Sequence, residues 1–262
     1  MYNSFMINKN KDILVSYWLL LITFLVALII VVGGLTRLTD SGLSITKWDL
    51  FSGILPPLNQ GDWDNYFNLY KKIPEFKLLN SSMTLNEFKV IFWWEYIHRL
   101  LGRLIGVLYF VPLIYFFIKK NIDIKKSKSL ILIFVLICIQ GFLGWYMVQS
   151  GLIDRVDVSH YRLSLHLTLA FIIFILLLWN FLEINYNNNI ISGKKIPYLT
   201  WIFLICVVVQ IALGALVSGL DAGTIYQSWP LMNGAYFPND SNINDLFSVE
   251  FLQNPSLVQF IH

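Results

Sequence analysis

Charge and sulfur are both scarce in this chain. Of its 262 residues 13% are charged, against about 25% in an average soluble domain. The net charge of +3 is small and scattered, which excludes an electrostatic footprint for nucleic acid. Cys138 and Cys206 are its only cysteines, and each lies in an apolar run. A disulfide framework is therefore excluded, and nothing suggests a thiolate metal site. Abundance lies elsewhere: 56% of residues are hydrophobic, with 20 Phe, 13 Tyr and 9 Trp. That excludes a disordered chain and points to an all-α, polytopic membrane protein whose first partner is the lipid bilayer.

A helix needs about 20 apolar residues to cross a hydrocarbon core roughly 30 Å thick. Five runs qualify: Ile13 to Leu35, Val90 to Ile118, Leu130 to Val148, Leu163 to Leu182 and Tyr198 to Leu220. A sixth opens near Ser256 and is cut off at His262. The first run is too long for a signal-peptide core and is read as a retained span. Lys9, Lys11, Lys119, Lys120, Lys125, Lys126, Lys128, Lys194 and Lys195 fall on one side. The segments on the other side are charge-balanced or acidic. The N-terminus is therefore expected in the cytoplasm and the long loops outside.

Local signals mark the segment ends. Thr84 with Glu87 reads as a capping box, and Asn254 followed by Pro255 as an N-cap with proline at the first helical position. Between them, Asp62 to Leu79 carries Trp63, Tyr66, Phe67, Leu69 and Tyr70, a pattern that suits one helix at the membrane interface.

The chain repeats itself. A shift of 181 residues places Gly33 on Gly214, Leu35 on Leu216, Asp40 on Asp221, Gly42 on Gly223, Trp48 on Trp229, Gly53 on Gly234 and Pro57 on Pro238. After a shorter second loop, Glu95-Tyr-Ile-His98 meets Gln259-Phe-Ile-His262. The expected organisation is a complete four-helix half, residues 1–182, and an incomplete second four-helix repeat, residues 183–262. The whole then reads as an incomplete copy of an eight-span bundle.

Ionisable groups inside spans are costly and usually functional. His98, His166 and His262 fall at matched depth, each in a span running from outside to inside. Imidazoles on facing helices can hold one haem iron from both sides, so the repeat implies two haem sites. The first would use His98 and His166, and the second His262 with a partner absent from this chain. Zinc would want three or four close ligands. His160, six residues before His166, points elsewhere and reads as a surface residue.

Glu95 shares a helix face with His98. Three roles stand open for it: orienting the His98 ring, neutralising Arg99 or Arg103, or acting on a bound ligand as acid, base or charge stabiliser. Gly102 and Gly106 allow either close helix contact or a flat ligand against the backbone. Arg37, Arg99, Arg103 and Arg162 are candidates for haem propionates, because arginine grips carboxylates bidentately. Snorkelling at the interface is the alternative for Arg37 and Arg162.

Several stretches resemble haem A synthase of the mitochondrial and alphaproteobacterial type. They are Gly34-Leu-Thr-Arg-Leu-Thr-Asp-Ser-Gly-Leu-Ser44, Trp48, Pro56-Pro57, Trp94-Glu-Tyr-Ile-His-Arg-Leu-Leu-Gly-Arg103, Gln140 to Gly151, Ser159 to His166 and Asn254 to His262. The resemblance implies an eight-helix inner-membrane enzyme that oxidises the C8 methyl of haem O to the formyl group of haem A for terminal oxidases. It implies that His98 and His166 flank the substrate haem, that Glu95 is the carboxylate beside it, and that His262 ligates a haem b in the second half. Haem O synthase and cytochrome oxidase assembly proteins are the implied protein partners. Two departures stand out: Ile261 replaces a usual polar residue, and the chain stops at His262, so turnover by this chain is in question. The rival reading is a di-haem b-type electron-transfer protein, which needs no carboxylate beside one haem.

Overall fold

The computed structural model describes residues 2–47, 52–120, 122, 124–185 and 197–262. Among them the regular structure is helical, apart from one isolated bridge between Met232 and Ala235. The α-helices are α1 (Tyr2–Leu38), α2 (Gln60–Tyr70), α3 (Pro74–Leu78), α4 (Leu85–Ile118), α5 (Ile124–Asp154), α6 (His160–Asn185), α7 (Tyr198–Gly219) and α8 (Pro255–Ile261). Five segments are long and apolar enough to cross a membrane: Ile13–Leu38, Leu85–Ile118, Ser127–Asp154, His160–Asn185 and Tyr198–Gly219. They coincide with the five runs read from hydropathy. The side chains of Lys9, Lys11, Lys125, Lys126, Lys194 and Lys195, and the match of Trp48 to Trp229, lie outside the described residues.

Both caps form as expected. Thr84 and Glu87 exchange the two bonds of a capping box at the start of α4, and Asn254 accepts from the amide of Leu257 with Pro255 opening α8. Each such cap is worth about 1 kcal/mol. The single interface helix expected over Asp62 to Leu79 is instead two, α2 and α3. Pro74 is the cause: its ring disfavours the helical region for the residue before it, and Ile73 is extended at φ −81°, ψ 159°.

The chain forms two compact units, residues 1–157 with 169–195, and residues 158–168 with 196–262. In the first, the core runs between four helices. Val15, Trp18, Leu19, Ile22, Leu25 and Val26 of α1 recur at helical spacing and meet Ile105, Tyr109, Leu113 and Phe116 of α4. Leu130 and Ile133 of α5 and Ile173 and Leu177 of α6 complete it. In lipid such packing rests on close contact and on polar groups that find partners. Pro112 lacks the amide that would bond the carbonyl of Leu108 one turn earlier. The indole Nε1 of Trp18 donates to that carbonyl at 2.8 Å, and the Tyr109 hydroxyl donates to the Leu130 carbonyl at 2.8 Å.

In the second unit α7 carries the packing. The Ser164 hydroxyl donates to the Ala212 carbonyl at 2.8 Å. A Cβ added to Gly219 would stand 2.7 Å from the Cα of His160, so only glycine permits this backbone approach. His160 is thus half-buried at the crossing of α6 and α7 rather than on the surface. Both α1 and α7 are followed by an aspartate in the left-handed region, Asp40 at φ 48° and Asp221 at φ 51°. These two stand 181 positions apart.

Candidate functional site

The first unit places its chemistry on one stretch of α4. His98 is half-buried, and its ring occupies the space a side chain on Gly33 would fill: a Cβ there would stand 2.9 Å from the imidazole Cε1. The face bearing His98 continues through Gly102 and Gly106. A Cβ at Gly102 would meet Ile29 Cδ1 at an ordinary 3.7 Å, and at Gly106 nothing within 4 Å. Close helix contact therefore does not explain these two glycines. They leave room for a Cβ along the helix face that bears His98.

Glu95 is 3% exposed, and both its oxygens are engaged. Oε2 accepts from the Ser44 hydroxyl at 2.6 Å and from the Ile45 amide at 2.7 Å. Oε1 accepts from Nη2 of Arg99, which also donates to the Ile45 carbonyl at 2.9 Å. Of the three roles left open by the sequence, the structure shows the pairing with Arg99. The strap formed by Ser44 and Ile45 was not singled out from sequence, because these residues lie some fifty positions from Glu95.

Arg99 and Arg103 line a cavity with Ile45, Lys47, Tyr66 and Phe92. Its lining combines cationic and aromatic side chains. Arg37 lies apart from it and bridges two carboxylates, Asp40 at 2.9 Å and Asp157 at 3.0 Å. Nearby in sequence, Tyr70 donates to Glu75 Oε1 at 3.0 Å and Asn80 donates to the Tyr70 oxygen at 2.8 Å. Burial pushes the Glu75 carboxyl up to about 8.

The second unit holds His262, His166 and Arg162. A Cβ on Gly214 would stand 2.9 Å from Nε2 of His262, the relationship Gly33 has with His98. Gln210 of α7 donates to the His262 carbonyl at 2.7 Å. His166 and Arg162 lie half-buried on the opening turns of α6. His98 and His166 thus fall in separate compact units.

Gln259 supplies a further parallel. Its Oε1 accepts from the Tyr226 amide at 3.2 Å and its Nε2 donates to the Tyr226 carbonyl at 2.7 Å. Tyr226 stands on Ile45 in the 181-residue shift, and Gln259 on Glu95 in the second alignment. Each unit therefore clamps the same strap residue from the same helix position. Among the described residues no group of three or more His, Cys, Asp and Glu converges to hold a metal ion.

Fold and site define a multi-pass helical membrane protein in which a glycine near the end of a long apolar helix faces a histidine twice, Gly33 of α1 against His98 and Gly214 of α7 against His262. The chain belongs to the COX15-CtaA family, described as cytochrome oxidase assembly protein, whose pattern matches residues 16–262. It is 51% identical over 257 residues to the haem A synthase of Pelagibacter ubique, covering 97% of this chain and 76% of that protein. Identity to the haem A synthase of Maricaulis maris is 49% over 231 residues, 88% of this chain and 68% of that one. To that of Rhizobium etli it is 45% over 256 residues, 97% and 70%. No solved structure matches the chain.

Proposed function

We propose that this chain is a haem A synthase, an oxidoreductase that converts the C8 methyl of haem O to the formyl group of haem A. One observation carries the reading: a buried carboxylate, Glu95, is fixed one turn from a histidine whose helix face is open along Gly102 and Gly106. Relatives named haem A synthase at 45–51% identity support it.

His98 and His166 are assigned as ligands of the substrate haem, following the family pattern. His262 is assigned to a haem b in a second repeat, residues 183–262, and residues 1–182 to the substrate half. Haem b, when bound, supplies a route for electrons that side chains cannot offer. The chain's own contribution is orientation and charge. Glu95 holds a preset negative charge that favours positive charge developing on the substrate. Arg103, in the cationic cavity, and Arg162, at the start of α6, are assigned to propionates. Arg37 and Arg99 already grip carboxylates of the chain; we assign Arg99 to organising the site and Arg37 to holding the end of α1 against Asp157. The basic segments give a cytoplasmic N-terminus in the inner membrane, with haem O synthase and oxidase assembly proteins as neighbours.

The test is Glu95→Gln in membranes supplied with haem O. Haem binding is expected to persist while the haem A signal in the pyridine haemochrome spectrum disappears. Haem A at wild-type level would refute the role. Bound haem that neither protein converts would favour a b-type electron carrier instead.

A further inference from the structure

The two clamps differ in one respect, and that difference assigns a residue. In the second unit a single amide, Gln259, serves both groups of Tyr226: its oxygen takes the amide proton and its nitrogen donates to the carbonyl. A carboxylate has no donor. In the first unit Glu95 can satisfy only the amide of Ile45, and the carbonyl is served by Arg99 Nη2, which holds Glu95 Oε1 at the same time. Glu95 and Arg99 together thus do what one glutamine does in the other repeat. Arg99 reaches further along the strap as well, to the Lys47 carbonyl at 3.5 Å.

We propose that Arg99 is a positioning residue for Glu95: its guanidinium completes the strap clamp that a carboxylate alone cannot close, and so permits a negative charge at a position where the second repeat keeps a neutral amide. The proposal rests on the reading that Glu95 serves the reaction. It separates two jobs of one side chain. The latch on the strap is shared by both repeats and needs no charge. The charge belongs to the first repeat alone and requires Arg99 beside it. Removing Arg99 leaves a buried carboxylate without its cation and a strap carbonyl without a donor, both costly in a desolvated setting.

Four variants of the full chain in membranes test this: Arg99→Leu, Arg99→Lys, Glu95→Gln and the double variant Glu95→Gln/Arg99→Leu. Two readouts are followed, deuterium exchange of the segment 41–47 and the ratio of haem A to haem O. Arg99→Leu is expected to speed exchange at least tenfold and lower product at least tenfold. Arg99→Lys, which keeps the charge and a donor, should stay within about threefold of wild type in exchange and recover part of the product. The double variant is the decisive one. Its amide should close the clamp as Gln259 does, so exchange returns to within about threefold of wild type while product stays absent. A double variant as open as Arg99→Leu, or Arg99→Leu with wild-type exchange and product, overturns the proposal. Wild-type product from Glu95→Gln alone would instead remove the catalytic reading, while the exchange pattern still decides the clamp.

Discussion

The imidazole of His98 lies where a side chain on Gly33 would have to go, with Cε1 2.9 Å from the nearest Cβ position. Gly214 stands in the same relation to His262. In each case a bare backbone on a long apolar helix sets where the facing imidazole rests. Gly33→Ala should therefore push the His98 ring aside at a cost of about 1–3 kcal/mol, typical of overpacking. At about 1.4 kcal/mol haem affinity would fall tenfold. Haem titration of the variant, followed by its absorption spectrum, measures this; an unchanged titration contradicts it.

Gly106 provides the matching control. Nothing lies within 4 Å of a Cβ there, so Gly106→Ala should leave the fold intact, with up to about 1 kcal/mol gained in helix propensity. Haem binding should nonetheless weaken, because the added methyl enters the open space on the helix face that bears His98 two turns earlier. Thermal melts and haem titration of the same preparation separate the two effects.

Pro112 and Trp18 form a compensated pair. Trp18→Phe removes the donor to the Leu108 carbonyl and is expected to cost about 1 kcal/mol. In a Pro112→Ala background the helix supplies its own amide to that carbonyl, so the same substitution should cost less. A double-mutant cycle in detergent-solubilised protein reads the coupling.

Glu75 makes the segment between α1 and α4 sensitive to alkali. Its folded carboxyl, buried beside Tyr70, keeps a proton to about pH 8, whereas an ordinary Glu loses it near 4.5. Its contribution to folding is therefore complete below about pH 4.5, declines as pH rises, and is lost above 8. Glu75→Gln should remove this dependence and stabilise the segment at pH 8–9 by ~2 kcal/mol. Deuterium exchange over residues 70–80 at pH 6 and pH 9 checks it, with the wild type opening at the higher pH and the variant not.

Much of this was legible in the residues. Hydropathy placed the five spans because a bilayer demands length and apolarity together. Thr84 with Glu87 and Asn254 with Pro255 announced their caps, because capping is local chemistry. The break at Pro74 is equally local, but a reading from the aromatic run over Trp63 to Tyr70 does not register it. The partners of Glu95 were not readable from Glu95 itself, since Ser44 and Ile45 reach it only through the fold. The two repeat alignments nevertheless set Ile45 on Tyr226 and Glu95 on Gln259. The shared clamp was written there, without the geometry that gives it meaning.

Gly219 governs a depth gauge. Because its backbone lies against the Cα of His160, α6 cannot slide along α7 without driving a side chain into the backbone opposite. His166 sits six residues further along the same helix, about 9 Å by the rise of an α-helix. The position of that imidazole along α7 is therefore indexed to a hydrogen atom on a neighbouring helix, and a single methyl at position 219 would reset it.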